Sequence, residues 1–179
     1  MKRIILVLLA VLSVPAGAYA QSIESILAAA PGRAREGAAV IKWNADYTYE
    51  TLKEGTNQLV CYDRSSETRR AAFDVQCTNP GNLERVAQNR RFRVESEDRQ
   101  SENALIAAAE ADGTRAEVQY GSIWIAMRGE DQAGARTHTT IAVPGATTES
   151  TGLPENGRGG GAYIMSAGTG GAHIMTPGN

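Results

Sequence analysis

Outside its first twenty residues the chain has no apolar run near the ~20 residues that a membrane-spanning helix needs. The sequence therefore predicts no stable membrane insertion once that segment is removed. Positive charge is not in excess either: 18 Lys and Arg stand against 20 Asp and Glu, a net charge of −2. That balance argues against nucleic acid or an anionic surface as the main partner. There is no Gly-x-Ser-x-Gly elbow, His-Glu-x-x-His, Ser-x-x-Lys or Walker loop, so the commonest hydrolase and nucleotide-binding signatures are missing. "GRGGG" and "GTGG" are glycine-rich but lack the strand–loop–helix context of a phosphate cradle, and no carboxylate spacing singles out a glycosidase pair. Cysteine and histidine occur twice each.

The first twenty residues read MKRIILVLLAVLSVPAGAYA. Basic Lys2 and Arg3 precede an apolar run from Ile4 to Val14, then Pro15 and the small-residue end Ala18-Tyr19-Ala20. That layout predicts a secretory signal peptide over 1–20 with cleavage after Ala20, so that the protein works in the periplasm or is secreted. Removing two basic residues leaves a mature chain more acidic still, whose length suits one domain over 21–179. Cys61 and Cys77 both lie in this part, and an isolated pair in an oxidising compartment predicts a disulfide. A redox-active pair would normally use Cys-x-x-Cys spacing, which is absent.

Along the mature chain, SIESILAAA predicts a short helix capped by Ser22 and ended by Pro31-Gly32. AAVIKWN predicts a strand, and TYETLKEGTNQLVCYD a hairpin turning at Glu54 to Asn57. FDVQC adds a strand, and a helix is expected from about Pro80 to Arg91. The arginines that follow, read together with Glu95, Glu97 and Asp98, suggest a solvated helix end and linker in preference to an anion-binding patch of Arg85, Arg90, Arg91 and Arg93. SENALIAAAEADG predicts a helix capped by Ser101 and stopped by Gly113, with IWIAMRG as a central strand and THTTIAV as another. A long Pro/Gly/Thr-rich loop runs from Pro144 to Gly161. The expected fold class is α+β: one domain, a mainly antiparallel sheet, two to three helices and a C-terminal β-hairpin.

The chain closes on a near-repeat, GGAYIMSAGT followed by GGAHIMTPGN. Two copies at this short period suit an antiparallel hairpin. With the turn over Ala167 to Gly171, Met165 pairs with His173, Ile164 with Ile174, and Tyr163 with Met175. Alternation then puts Tyr163, Met165, His173 and Met175 on one face and the isoleucines on the other. Packing explains such residues, but thioethers beside an imidazole are also the donors that favour copper, Cu(I) above all. Met165, His173 and Met175 are the candidate metal ligands, and His138, Tyr163 and His173 the candidate contacts for a small ligand or protein partner. His138 lies in HTTI, which resembles the His-x-Thr-hydrophobic element that two-histidine phosphoesterases carry twice. That resemblance implies acid–base work by a histidine pair on a cyclic phosphate, but His173 is followed by Ile174-Met175, without the second threonine.

The stretch GLPENGRGGGAYIMSAGTGGAHIMTP, with VCYD, VQC and HTTIAVPGA upstream, resembles a family of small exported bacterial proteins. Its members have a Gly-Leu-Pro loop and end in G-T-x-x-A-H-[I/L]-M-x-P. The first arm departs from the pattern, since AYIMSA has small residues where a tryptophan is expected. The resemblance implies an exported domain and carries no catalytic assignment. The reading as a whole favours a non-enzymatic binding or interaction module; its alternatives are a periplasmic copper-binding protein and a hydrolase of the two-histidine type.

Overall fold

The computed structural model describes residues 22–176, so the expected signal peptide lies outside the described residues. Ser22 caps α1 (Ile23–Ile26), its hydroxyl accepting from the Ser25 N–H at 3.1 Å, and a 3-10 turn over Leu27–Ala29 continues it. One further helical turn, α2 (Gly32–Arg35), follows Pro31. The sheet comprises β1 (Ala39–Trp43), β2 (Tyr49–Lys53), β3 (Val60–Asp63), β4 (Phe73–Thr78), β5 (Ile123–Gly129), β6 (Arg136–Ala142), β7 (Tyr163–Met165) and β8 (His173–Met175). Their spatial order is β2-β1-β3-β4-β5-β6-β8-β7, and only the β1–β3 pair is parallel. The fold is α+β with a mainly antiparallel sheet and a C-terminal hairpin, as the sequence predicted.

The expected hairpin from β2 to β3 does not form. β1 lies between them, antiparallel to β2 and parallel to β3. Burial explains the order: β2 is exposed from Tyr49 to Leu52, whereas Val60, Cys61 and Tyr62 are buried. The apolar strand takes the interior of the sheet and the polar one its edge. The Glu54–Asn57 connection crosses the end of β1, where the Thr56 and Asn57 N–H groups both donate to the Gly37 carbonyl, at 2.8 and 3.1 Å. Gly55 is needed there, because a Cβ would lie 2.5 Å from the Ala39 nitrogen.

Two longer helices lie on one face of the sheet. Pro80–Asn82 forms a 3-10 turn that leads into α3 (Leu83–Glu95), and α4 (Arg99–Asp112) follows. The α4 cap is Asp98, not Ser101, which instead completes the capping box from the third helical position; Gly113, left-handed at φ 76°, ends the helix. Leu83 and Val86 pack on Ile41, Trp43, Val60 and Tyr62. The opposite face buries Val40, Cys61, Val75 and Cys77 against Ile26, Leu27, Ala29 and Ala30 of the N-terminal turns. Cys61 and Cys77 stand directly opposite each other on β3 and β4 and are joined by the disulfide.

The helix end and linker are solvated at Arg91 and over most of residues 94–100, but Arg85, Arg90 and Arg93 are not part of that solvated surface. Arg90 and Arg93 turn inward to Glu67 in the β3–β4 connection, and Glu67 also faces Arg64 at 3.6 Å and Arg70 at 3.7 Å. Arg93 pairs in addition with Glu102 of α4 at 3.2 Å, as does Arg69, which also donates to the Arg93 and Ser96 carbonyls at the end of α3. Arg85 pairs with Glu110 at 2.9 Å, and Arg91 lies over the Tyr47 ring. The nearby Glu95, Glu97 and Asp98 side chains hold none of these arginines. The partners come from residues distant in sequence, because a buried guanidinium needs a carboxylate that is buried with it.

Buried Asp74 faces the same group, with Arg64 at 3.9 Å and Arg70 at 4.0 Å. Burial pushes its pKa above the usual 3.8, against the pull of Arg64, Arg128 and Arg93. Folded Asp74 thus holds its proton more tightly than the unfolded chain does, so its ionisation opposes folding at neutral pH and that cost fades as pH falls. Glu67→Gln should lower the unfolding free energy by about 3–5 kcal/mol in urea denaturation at neutral pH, since four guanidiniums lose their shared carboxylate. Asp74→Asn should cost less than that, and wild type should gain on it as pH drops through the carboxylate range. Equal costs for the two variants would refute this ranking. For the disulfide, which has a sequence separation of 16, Cys61→Ala/Cys77→Ala should lose on the order of 3 kcal/mol by the same measurement.

Candidate functional site

The C-terminal hairpin has the register expected from its repeat: Met165 pairs with His173, Ile164 with Ile174 and Tyr163 with Met175. Its bend is built by motif residues. Gly168 takes φ 78°, and the Thr169 hydroxyl donates to the Ser166 carbonyl at 2.8 Å while accepting from the Gly171 N–H at 3.1 Å. β8 in turn pairs with β6, placing Met175 opposite Thr140 and His173 opposite Ala142. Following the ladder from Tyr62 through Gln76 and Ala126 leads to His138. His138 and its face-mates are therefore on the side that α3 and α4 cover over β1 and β3.

Beyond the helices that face stays partly open. Trp124, His138, Thr140, Tyr163, His173 and Met175 are half-buried, and Met165 is 41 % exposed. The structure thus brings all the predicted site residues onto one strip and adds Trp124 and Thr140. Alternation alone put Thr140 beside His138; Trp124 becomes visible only through its pairing with Thr140. The loop 144–161 wraps the hairpin edge. Ala146 and Leu153 pack under Ile164 and Ile174 on the far side, and the Pro154 carbonyl accepts from the Ile164 N–H at 2.9 Å at the edge. A turn over Gly157–Gly159 then reaches the Tyr163 ring; a Cβ on Gly157 would sit 2.8 Å from that ring, so glycine permits the contact. An open concavity of about 330 Å³ at the bend is lined by Glu155, Ile164, Met165, Ser166 and Ala167.

One contact between side chains of the strip joins two strands. The His138 Nε2 lies 3.3 Å from the Met175 Sδ, and the Thr140 Oγ1 lies 3.5 Å from the same sulfur. The His173 Nδ1 lies 2.8 Å from the Gly171 carbonyl, which can only accept, so Nδ1 is the donor in that bond. His138 is held below the usual 6.5, first by burial, then by the Arg128 charge and by His173. It is neutral at pH 7 and available as a donor of one lone pair. The two histidines do not meet. Thr140 and Ala142 are level with Met175 and His173, so His138 and His173 are four residues of register apart, about 13 Å along the strands. Met175 stands between them. Among the described residues no three His, Cys, Asp or Glu side chains gather as a metal site, so the donors available on this strip are imidazole and thioether.

No protein-family model matches the chain, and neither a curated protein nor a solved structure matches it. A histidine titration followed by NMR should place the His138 midpoint below 6.5. Removing the Arg128 charge, by Arg128→Ala, should raise it. A midpoint at or above 6.5, or one unmoved by the variant, would contradict this placement of His138.

Proposed function

We propose that the protein is an exported, non-enzymatic binding module that takes a small ligand or a protein segment on the open strip of β6, β8 and β7. The observation that carries this reading is the strip itself: aromatic, imidazole and thioether groups share one partly open face whose other half is covered by helices. Such mixed apolar and polar surfaces recognise ligands with few specific contacts. Tyr163 is boxed from outside by the 157–159 turn, which gives the strip a wall. The exposed large apolar side chains elsewhere, Ile23, Tyr49, Leu52, Val94 and Tyr120, are scattered, and the two on β2, Tyr49 and Leu52, fall on opposite faces of the strand; this favours the strip over a broad apolar docking patch. Export into the periplasm or the medium rests on the N-terminal segment and on the Cys61–Cys77 disulfide, which suits an oxidising compartment. No helix among the described residues is long and apolar enough to cross a membrane. Membership of the family of small exported bacterial proteins rests on the C-terminal motif from Gly168 onward, whose Thr169 builds the bend.

An amide-resolved NMR screen of the mature protein against a small-molecule fragment library tests this reading. Binders should shift the amides of β6, β8, β7 and the 157–159 turn. Binders confined to α3 and α4, or none at all, would overturn it. A cyclic-phosphate hydrolysis assay on the same sample should show no turnover above buffer; turnover abolished by both His138→Ala and His173→Ala would make the protein an enzyme instead.

A further inference from the structure

The His138–Met175 contact crosses the β6–β8 seam, not the hairpin. Two ligands to one metal ion at about 2.0 Å for nitrogen and 2.3 Å for sulfur stand roughly 3.3–3.7 Å from each other when a further donor, such as water, completes the ion and the angle between them is about 100–120°. The Nε2 and Sδ of this pair are 3.3 Å apart, so one ion could be held by both with little movement of either chain. Their positions are fixed from outside the pair. Met175 is flanked by Thr140 and Tyr163 in the ladder, and His138 is paired with buried Ala126. A thioether with a neutral imidazole is a soft donor set, which selects Cu(I) over the hard divalent cations. The ordinary alternative is an N–H···S hydrogen bond, in which Nε2 keeps its proton.

We propose that His138 Nε2 and Met175 Sδ are the ligand pair of a Cu(I) site on the open strip, centred on the β6–β8 seam and not on the hairpin residues His173 and Met165. The inference rests on the reading of that strip as a binding face. Binding requires the imidazole proton to reside on Nδ1, leaving the Nε2 lone pair for the metal; no oxidation or reduction takes place. His173, two residues from Met175 on the same strand face and tied to the Gly171 carbonyl, lies outside the pair.

The test uses the mature protein under anaerobic, reducing conditions, titrated with Cu(I) against a chromogenic Cu(I) chelator, with methionine methyl groups followed by ¹³C NMR. One ion per chain should be withdrawn from the chelator, and the Met175 methyl should shift while the Met165 methyl does not. Affinity should fall on the order of tenfold or more in His138→Gln and in Met175→Leu, and stay near wild type in His173→Gln. The methyl shifts of the wild type decide the matter without any variant, should one of these fail to fold. No withdrawal of copper, a shift at Met165 instead of Met175, or loss with His173→Gln but not with His138→Gln would each overturn the site. The metal-free fragment screen separates the two failures. Fragment shifts on the strip without copper uptake refute the copper site alone, and absence of both refutes the binding face as well.

Discussion

Glu67 sits buried among Arg64, Arg70, Arg90 and Arg93, and the position of everything above the sheet follows from that. Burying an ion costs several kcal/mol, and the cost is offset only while the opposite charges hold their places. Arg90 and Arg93 belong to α3, and Arg64 and Arg70 to the connection between β3 and β4, so the carboxylate ties the helix to the strands beneath it. Arg69 and Arg93 extend the tie to Glu102 of α4. Buried Tyr62 lies next to this group and donates to Gln76 at 2.8 Å, its pKa raised by burial so that it remains a donor. The same helix pair reaches the hairpin bend, where the Glu110 and Arg85 side chains lie against Gly170 and Gly171, and it leaves the strip of β6, β8 and β7 partly open.

The two ends of the sheet meet the edge-strand problem by different means. β2 is exposed and carries charged and polar side chains, including Lys42-paired Glu50, which discourages pairing with another chain. β7 is short, and the loop 144–161 occupies its free side through the Pro154 carbonyl. The loop then passes to the far face with Leu153 and to the open face with Gly157. The same segment that protects the edge thus walls the strip. The two histidines on that strip differ in their settings: burial and nearby positive charge hold His138 below its usual pKa, while the His173 Nδ1 donates to the Gly171 carbonyl.

Much of this was legible because it depends on neighbours in sequence. The near-repeat with its small-residue bend implied the hairpin and its register, and two-residue alternation then assigned Tyr163, Met165, His173 and Met175 to one face. Ser22 and Gly113 marked helix ends through local capping chemistry, and Pro80 through its fit at the first helical position. The insertion of β1 between β2 and β3 was not legible, since a chain that turns at Gly55 looks the same whether the arms pair or a third strand intervenes. The arginines misled for a related reason. Glu95, Glu97 and Asp98 are near Arg93 in the chain, while Glu67, its partner in the fold, is not.

By itself the sequence determined the main strands and the two longer helices, the disulfide pairing and the composition of the hairpin face, all of which follow from spacing, cysteine count and period. Tertiary structure alone decided that His138 would touch Met175, that Trp124 would share their face, and that this half of the face would stay open. Those outcomes depend on strand order and on the placement of α3 and α4. Both are selected by which apolar and charged groups can be buried together, and that is a property of the whole chain, not of any stretch of it.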